Sequence, residues 1–375
     1  MKRIPVTILT GFLGAGKTTL LNRLIDQTGF GDTAVIVNEF GEAGVDGALV
    51  TGADERAFAM SVGCLCCTIS GDIRLTLLRI LEDAETGRGP SFDRVVVETT
   101  GLADPLPLLQ TFMTNDYLLD RFVLNGVVTL VDTVNGADAI ERFPEAKRQI
   151  AVADLLLVTK TELAVDPASQ KDLMALKADL AVRNPNARVL DSRAAKPALV
   201  FSLAAFDPSG KPPDVRQWLR FGNASPAHDD AHHHDGHGHS HSHGAHGHDH
   251  HHHDVNSHGN TASAFCFSAS GPIDPWALST AISAMQATFG GDLLRIKGLV
   301  EIEGEPDCPQ VVHVVGHICS APRLLDGWPD GVSETRIVAI IAGRGREQAP
   351  MMFRSFLPQL RTFVSEAREV MTEPA

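Results

Sequence analysis

The chain of 375 residues has no lysine- or arginine-rich block to set against its net charge of -14. Phosphate contacts need clustered basic side chains, so nucleic acid is not expected as a partner. The same deficit disfavours an anionic membrane surface. No stretch reaches the roughly 18 apolar residues that a membrane-spanning helix needs. Lys2 and Arg3 ahead of Ile4–Leu13 imitate a secretory leader. That run, however, leads straight into a phosphate-binding loop that cleavage would destroy. It reads as a first β-strand, and the expected location is the cytoplasm. What remains, 43% hydrophobic and 21% charged residues, is the composition of a globular chain long enough for two domains.

Six cysteines are present, and three of them (Cys64, Cys66 and Cys67) fall within four positions. Disulfides are rare in the cytosol, so crowded cysteines there point to metal or redox work. Cys266 and Cys319 lie in apolar strand-like runs and read as small buried side chains.

Short apolar runs punctuate the first two hundred residues: Val6–Thr10, Ala34–Val37, Val95–Val97, Val127–Val131 and Leu155–Val158. Unbroken runs of this kind are buried on both faces, as in a parallel sheet covered by helices. Helical spacing fits Lys17–Asp26 and Ile73–Ala84, the latter with Ser70 as its cap. From His228 to His258, 15 of 31 residues are histidine, 5 are aspartate, and Lys, Arg, Leu, Ile and Phe are absent. Such a segment cannot bury a core and reads as disordered. The pattern resumes near Ala264. Asp274 and Pro275 open a helix that Gly290 ends. Strand-like runs follow at Leu293–Ile302, Val311–Gly316 and Arg336–Ala342, and a last helix fits Ala349–Met371 with a kink at Pro358. The expected domains are 1–215, an α/β unit; 216–262, a histidine-rich linker; and 263–375, a smaller α+β unit.

Gly11, Phe12, Leu13, Gly14, Ala15, Gly16, Lys17 and Thr18, followed by Thr19, match G-x-x-x-x-G-K-[ST] between a strand and a helix, the context that makes the motif credible. The glycines let backbone N–H groups curl around phosphate oxygens, and the helix start adds its dipole. Lys17 is expected to reach the β- and γ-phosphates and Thr18 to ligate Mg2+. Val95–Val97 ends in Glu98, which could hold Mg2+ through water or orient the attacking water, and Gly101 can approach the γ-phosphate. Thr159, Lys160, Thr161 and Glu162 follow a later strand and look like a worn N-K-x-D guanine motif. Glu162 could accept from guanine, Lys160 could lie along the ring, and Thr159 lacks the usual amide.

Three thiolates this close can bind one borderline or soft ion and leave a tetrahedral position open, which suits a site that hands its metal on. The divalent affinity order favours Zn2+ over Co2+ without excluding cobalt. Glu39 and Glu42, after the second strand, could add a carboxylate to either metal. The histidine tract should bind several ions loosely.

Together these residues resemble the CobW-type metallochaperone GTPases, including the zinc-regulated GTPase metalloprotein activators. The resemblance rests on GFLGAGKTT, NEFGE at 38–42, GCLCC at 63–67, ETTGLADP at 98–105, the histidine-rich insert, and RIKGLVEI and HVVGH near the end. It implies a SIMIBI-class P-loop GTPase domain with a parallel sheet and a CobW C-terminal domain. It further implies GTP hydrolysis, transferable zinc on Cys64, Cys66 and Cys67, and a transient client metalloprotein. The alternatives are cobalt delivery for cobalamin synthesis or a cobalt enzyme, a histidine-based metal buffer with regulatory nucleotide, and a P-loop kinase.

Overall fold

A computed structural model describes residues 3–27, 29–38, 58–60, 64–69, 72–201, 203, 262–269, 271–328, 334–343 and 345–363; the side chains of 38, 58–60, 64–69 and 363 are not described. The apolar runs become strands of an eight-stranded sheet. These are β1 (Ile4–Gly11), β2 (Thr33–Asn38), β3 (Phe58–Met60), β4 (Cys64–Ile69), β5 (Arg94–Thr99), β6 (Phe122–Asp132), β7 (Leu155–Thr159) and β8 (Arg188–Asp191). Their order is β3-β4-β2-β5-β1-β6-β7-β8, parallel throughout except for β3. Strand residues alternate between faces, and here both faces are apolar. Val6, Ile8, Ala34, Ile36, Val95 and Val97 enter one core, while Leu9, Val35 and Val96 enter the other. The connections carry α1 (Lys17–Ile25), α2 (Ile73–Glu85), α3 (Leu106–Thr114), α4 (Asp116–Arg121), α5 (Gly136–Arg142), α6 (Pro144–Ala151), α7 (Pro167–Arg183) and α8 (Pro197–Phe201). Asp72, not Ser70, caps α2, its side chain accepting from Arg74 N.

A second, antiparallel sheet comprises β9 (Ser263–Ala269), β10 (Leu293–Ile302), β11 (Glu305–Val315), β12 (Ile318–Cys319), β13 (Arg323–Leu324), β14 (Thr335–Ile341) and β15 (Arg361–Phe363). Two helices, α9 (Pro275–Phe289) and α10 (Ala349–Phe356), pack Leu278, Ile282, Met285 and Phe353 on one face. The Asp274 side chain caps α9 as its sequence suggests. The other face joins the first domain's core through Cys266, Leu294, Val315, Val338 and Ile340. A polar seam crosses this junction. Asp154, buried just ahead of β7, accepts from Val127 N, Arg295 Nη2 and Lys297 Nζ, and Arg295 Nη1 donates to Val152 O.

Two further expectations fail. The last helix does not reach Met371: α10 stops at Phe356, and β15 follows. Pro358 restricts Leu357 to extended backbone, and Leu357 has φ -128 and ψ 73. Cys319 is exposed on the short β12, whereas Cys266 is buried as expected. Among the described residues no helix is long and apolar enough to cross a membrane.

Candidate functional site

The C-terminal ends of β1, β5, β6, β7 and β8 meet where an open α/β sheet places its ligand crevice. Gly14 and Gly16 adopt φ +71 and +87, and a Cβ on either would meet nothing within 4 Å. The loop is therefore built of left-handed turns that open onto free space. Gly11 is different: a Cβ there would lie 2.5 Å from Leu130 O, so the glycine is needed for contact with β6. Gly16 offers no side-chain cap to α1, leaving that helix start available to an anion. Lys17 is buried and donates to Gly11 O at 2.8 Å and Phe12 O at 3.3 Å. Burial lowers its pKa, and the Glu98 charge opposes that shift. Phe12 stacks on Phe143 with ring centroids 4.6 Å apart.

Glu98, 4% exposed, stands at the end of β5 opposite Leu9. Its Oε1 accepts from Thr18 Oγ1 at 2.7 Å. A hydroxyl and a carboxylate this close are a hard oxygen pair of the kind Mg2+ takes, so these residues fit that ion. Three residues on, a Cβ at Gly101 would fall 2.6 Å from Leu13 N and 2.7 Å from Leu13 Cα. The Gly101 loop thus lies directly on the phosphate loop. Its carbonyls at Gly101 and Ala103 accept from Gln149 Nε2, both at 3.0 Å, and Asp104 pairs with Arg148 at 2.9 Å.

Thr159 ends β7 and donates its hydroxyl to Ala15 O at 2.9 Å, tying that strand to the phosphate loop. Lys160 adopts φ +57 and forms an ion pair with Asp132. Glu162 is exposed in the next turn. Thr161 Oγ1 donates to Asp191 Oδ2 at 2.6 Å. Asp132, Arg148, Gln149 and Asp191 went unnoticed in the sequence. For two of them a signal existed: Asp132 and Asp191 end their strands, as Glu98 nearly does.

The backbone of Cys64, Cys66 and Cys67 lies on β4. The row through Leu9 and Glu98 continues to Val37 and Thr68, so Cys67 falls one residue before it. The thiols, Glu39, Glu42 and the tract 228–258 lie outside what is described. Among the described residues no group of three or more His, Cys, Asp or Glu could hold a metal ion.

Residues 5–191 match the family described as CobW/HypB/UreG, nucleotide-binding domain. Residues 262–357 match the cobalamin synthesis protein cobW C-terminal domain. The chain is 43% identical over 164 residues to "Zinc chaperone YjiA" of Escherichia coli K12, covering 44% of this chain and 51% of that one. It is 40% identical over 167 residues to "Zinc-regulated GTPase metalloprotein activator 1" of Schizosaccharomyces pombe, covering 43% and 39%. The chain thus spans about half or less of the length of these curated relatives. A crystal structure titled "Zn(II)-bound YjiA GTPase from E. coli" superposes with a TM-score of 0.68 at 28% identity, over 95% of this chain and 99% of that one. With a CobW-type nucleotide-binding domain followed by a CobW C-terminal domain, the chain belongs to the CobW family.

Proposed function

We propose that this chain is a GTP-hydrolysing metal chaperone that carries zinc on Cys64, Cys66 and Cys67 and passes it to a client metalloprotein. One observation carries the reading: the nucleotide machinery and the cysteine strand share a sheet, with only β2 between the Glu98 strand and β4. At about 4.8 Å per strand, β4 lies about 10 Å from β5. The names of the relatives support zinc as the cargo; cobalt remains the alternative.

In this reading Lys17 exchanges its Gly11 and Phe12 carbonyls for phosphate oxygens. Thr18 and Glu98 would hold Mg2+, which neutralises charge between the β- and γ-phosphates. Gly101 allows its loop to approach the terminal phosphate. Thr159, Lys160 and Glu162 would receive the base, with Asp132 holding Lys160 in place. The work is assigned to a cytoplasm, where thiols stay reduced. The nucleotide unit would take residues 1–215, the histidine-rich linker 216–262 and the second unit 263–375.

The test is Zn2+ affinity without nucleotide, with GDP, and with a non-hydrolysable GTP analogue. A competing chelator silences loose histidine sites, and Cys66→Ala serves as control. At least about tenfold tighter binding in the analogue state, near 1.4 kcal/mol of coupling, absent in Cys66→Ala, supports the chaperone. Equal affinities in all three states sink it and favour a buffer built on the histidine tract.

A further inference from the structure

Gln149 lies in α6 and is 1% exposed. A buried amide is costly unless its polar atoms are satisfied, and leucine or methionine would fill the space without that cost. Here Oε1 has no hydrogen-bond partner among the described residues. Packing therefore does not explain the residue. Its Nε2 donates to both Gly101 O and Ala103 O at 3.0 Å. The neighbouring Arg148 holds Asp104 Oδ2 at 2.9 Å. Two consecutive residues of one helix thus grip both ends of a four-residue loop. The helix is itself fixed to the sheet, because Thr129 Oγ1 donates to Gln149 O at 2.8 Å.

The grip has a directional effect. A trans peptide points its C=O and the following N–H to opposite sides. Holding the Gly101 and Ala103 carbonyls therefore sets the direction of the Leu102 and Asp104 N–H groups. Among the described residues the Leu102 N–H has no acceptor within the chain. The loop carrying it rests on Leu13 of the phosphate loop. We infer that Gln149 is a positioning residue. It presets the backbone amides of the Gly101–Asp104 loop for the oxygens of a nucleotide's terminal phosphate. The inference rests on the GTPase reading above.

The test uses the full chain with Gln149→Met, which keeps length and volume but removes both donors. Affinities for GDP and for a non-hydrolysable GTP analogue are measured together with kcat, KM and melting temperature. The variant is expected to hold GDP as the wild type does. It should lose about tenfold in analogue affinity relative to GDP and about tenfold or more in kcat, short of the roughly 100- to 1,000-fold cost of removing a transition-state donor outright. Gln149→Asn, which keeps the donors on a shorter arm, should fall between the two, and it carries the test if the methionine variant does not fold. Unchanged kcat and unchanged analogue-to-GDP ratio beside an active wild type overturn the inference alone. So does an equal loss of affinity for both nucleotides with a lowered melting temperature, which marks a merely structural role. A wild type that neither hydrolyses GTP nor separates the analogue from GDP overturns the parent reading and this inference with it.

Discussion

Asp191 ends β8, accepts from Thr161 and forms an ion pair with Arg193. Burial works against its ionisation, yet the hydrogen bonds from Arg193 and Thr161 outweigh it and hold the carboxyl at about 2, below the usual 3.8. A carboxylate whose pKa is depressed on folding contributes stability above its unfolded value and loses it as pH falls through the folded one. Asp191→Asn should therefore lower the urea midpoint at pH 7, and the gap to wild type should close between about pH 4 and about pH 2. A gap independent of pH would show that the charge is not what holds the turn at Thr161. Asp132 belongs to the same class of strand-ending acids and pairs with Lys160, whose backbone is left-handed. The strand-end position was the one sign either acid gave in the sequence, because the partner of each lies some thirty residues away.

Among elements, the loop between β5 and α3 fits closely against its neighbour. A methyl at Gly101 would strike backbone atoms of Leu13, which cannot rotate away. Gly101→Ala should cost about 1–3 kcal/mol of stability and lower GTP hydrolysis more than GDP binding. Thermal melts and single-turnover rates check both, and a fully active, fully stable variant would contradict the packing described. Elements with two apolar faces were plain in the sequence, as β1, β2 and β5 were, because their runs have no other use. The cysteine strand β4 was not, since Cys-Leu-Cys-Cys reads as ligand chemistry before it reads as β-structure. The end of the chain misled for a different reason. Leu357 and Leu360 are buried and continue the apolar pattern past Pro358, although the backbone there has left the helix.

At the scale of the molecule, the two sheets share a core, and a small polar set is buried inside it. Asp154 stays ionised against burial because Arg295 and Lys297 face it. Burial, with Arg295 beside it, lowers Lys297 to about 7 despite its bond to Asp154. His313 is held well below its usual value by burial and by the same two cations. Asp154→Asn leaves that cationic group without its acid and should destabilise the chain by about 3–5 kcal/mol. Replacing Asp154, Arg295 and Lys297 together by apolar residues of similar size should recover most of the loss, as judged by urea unfolding. If the triple replacement is as damaging as the single one, the seam is not governed by charge compensation.

That seam also determines how the two halves can move. Two greasy faces alone could glide over one another with little change in energy. A carboxylate keyed at once to Val127, Arg295 and Lys297 does not permit gliding, because a small offset strands every member of the set. The joint behaves like a latch with one closed position. A signal passing between the nucleotide end and the second sheet has to leave the latch shut and travel as a local rearrangement, or open it outright.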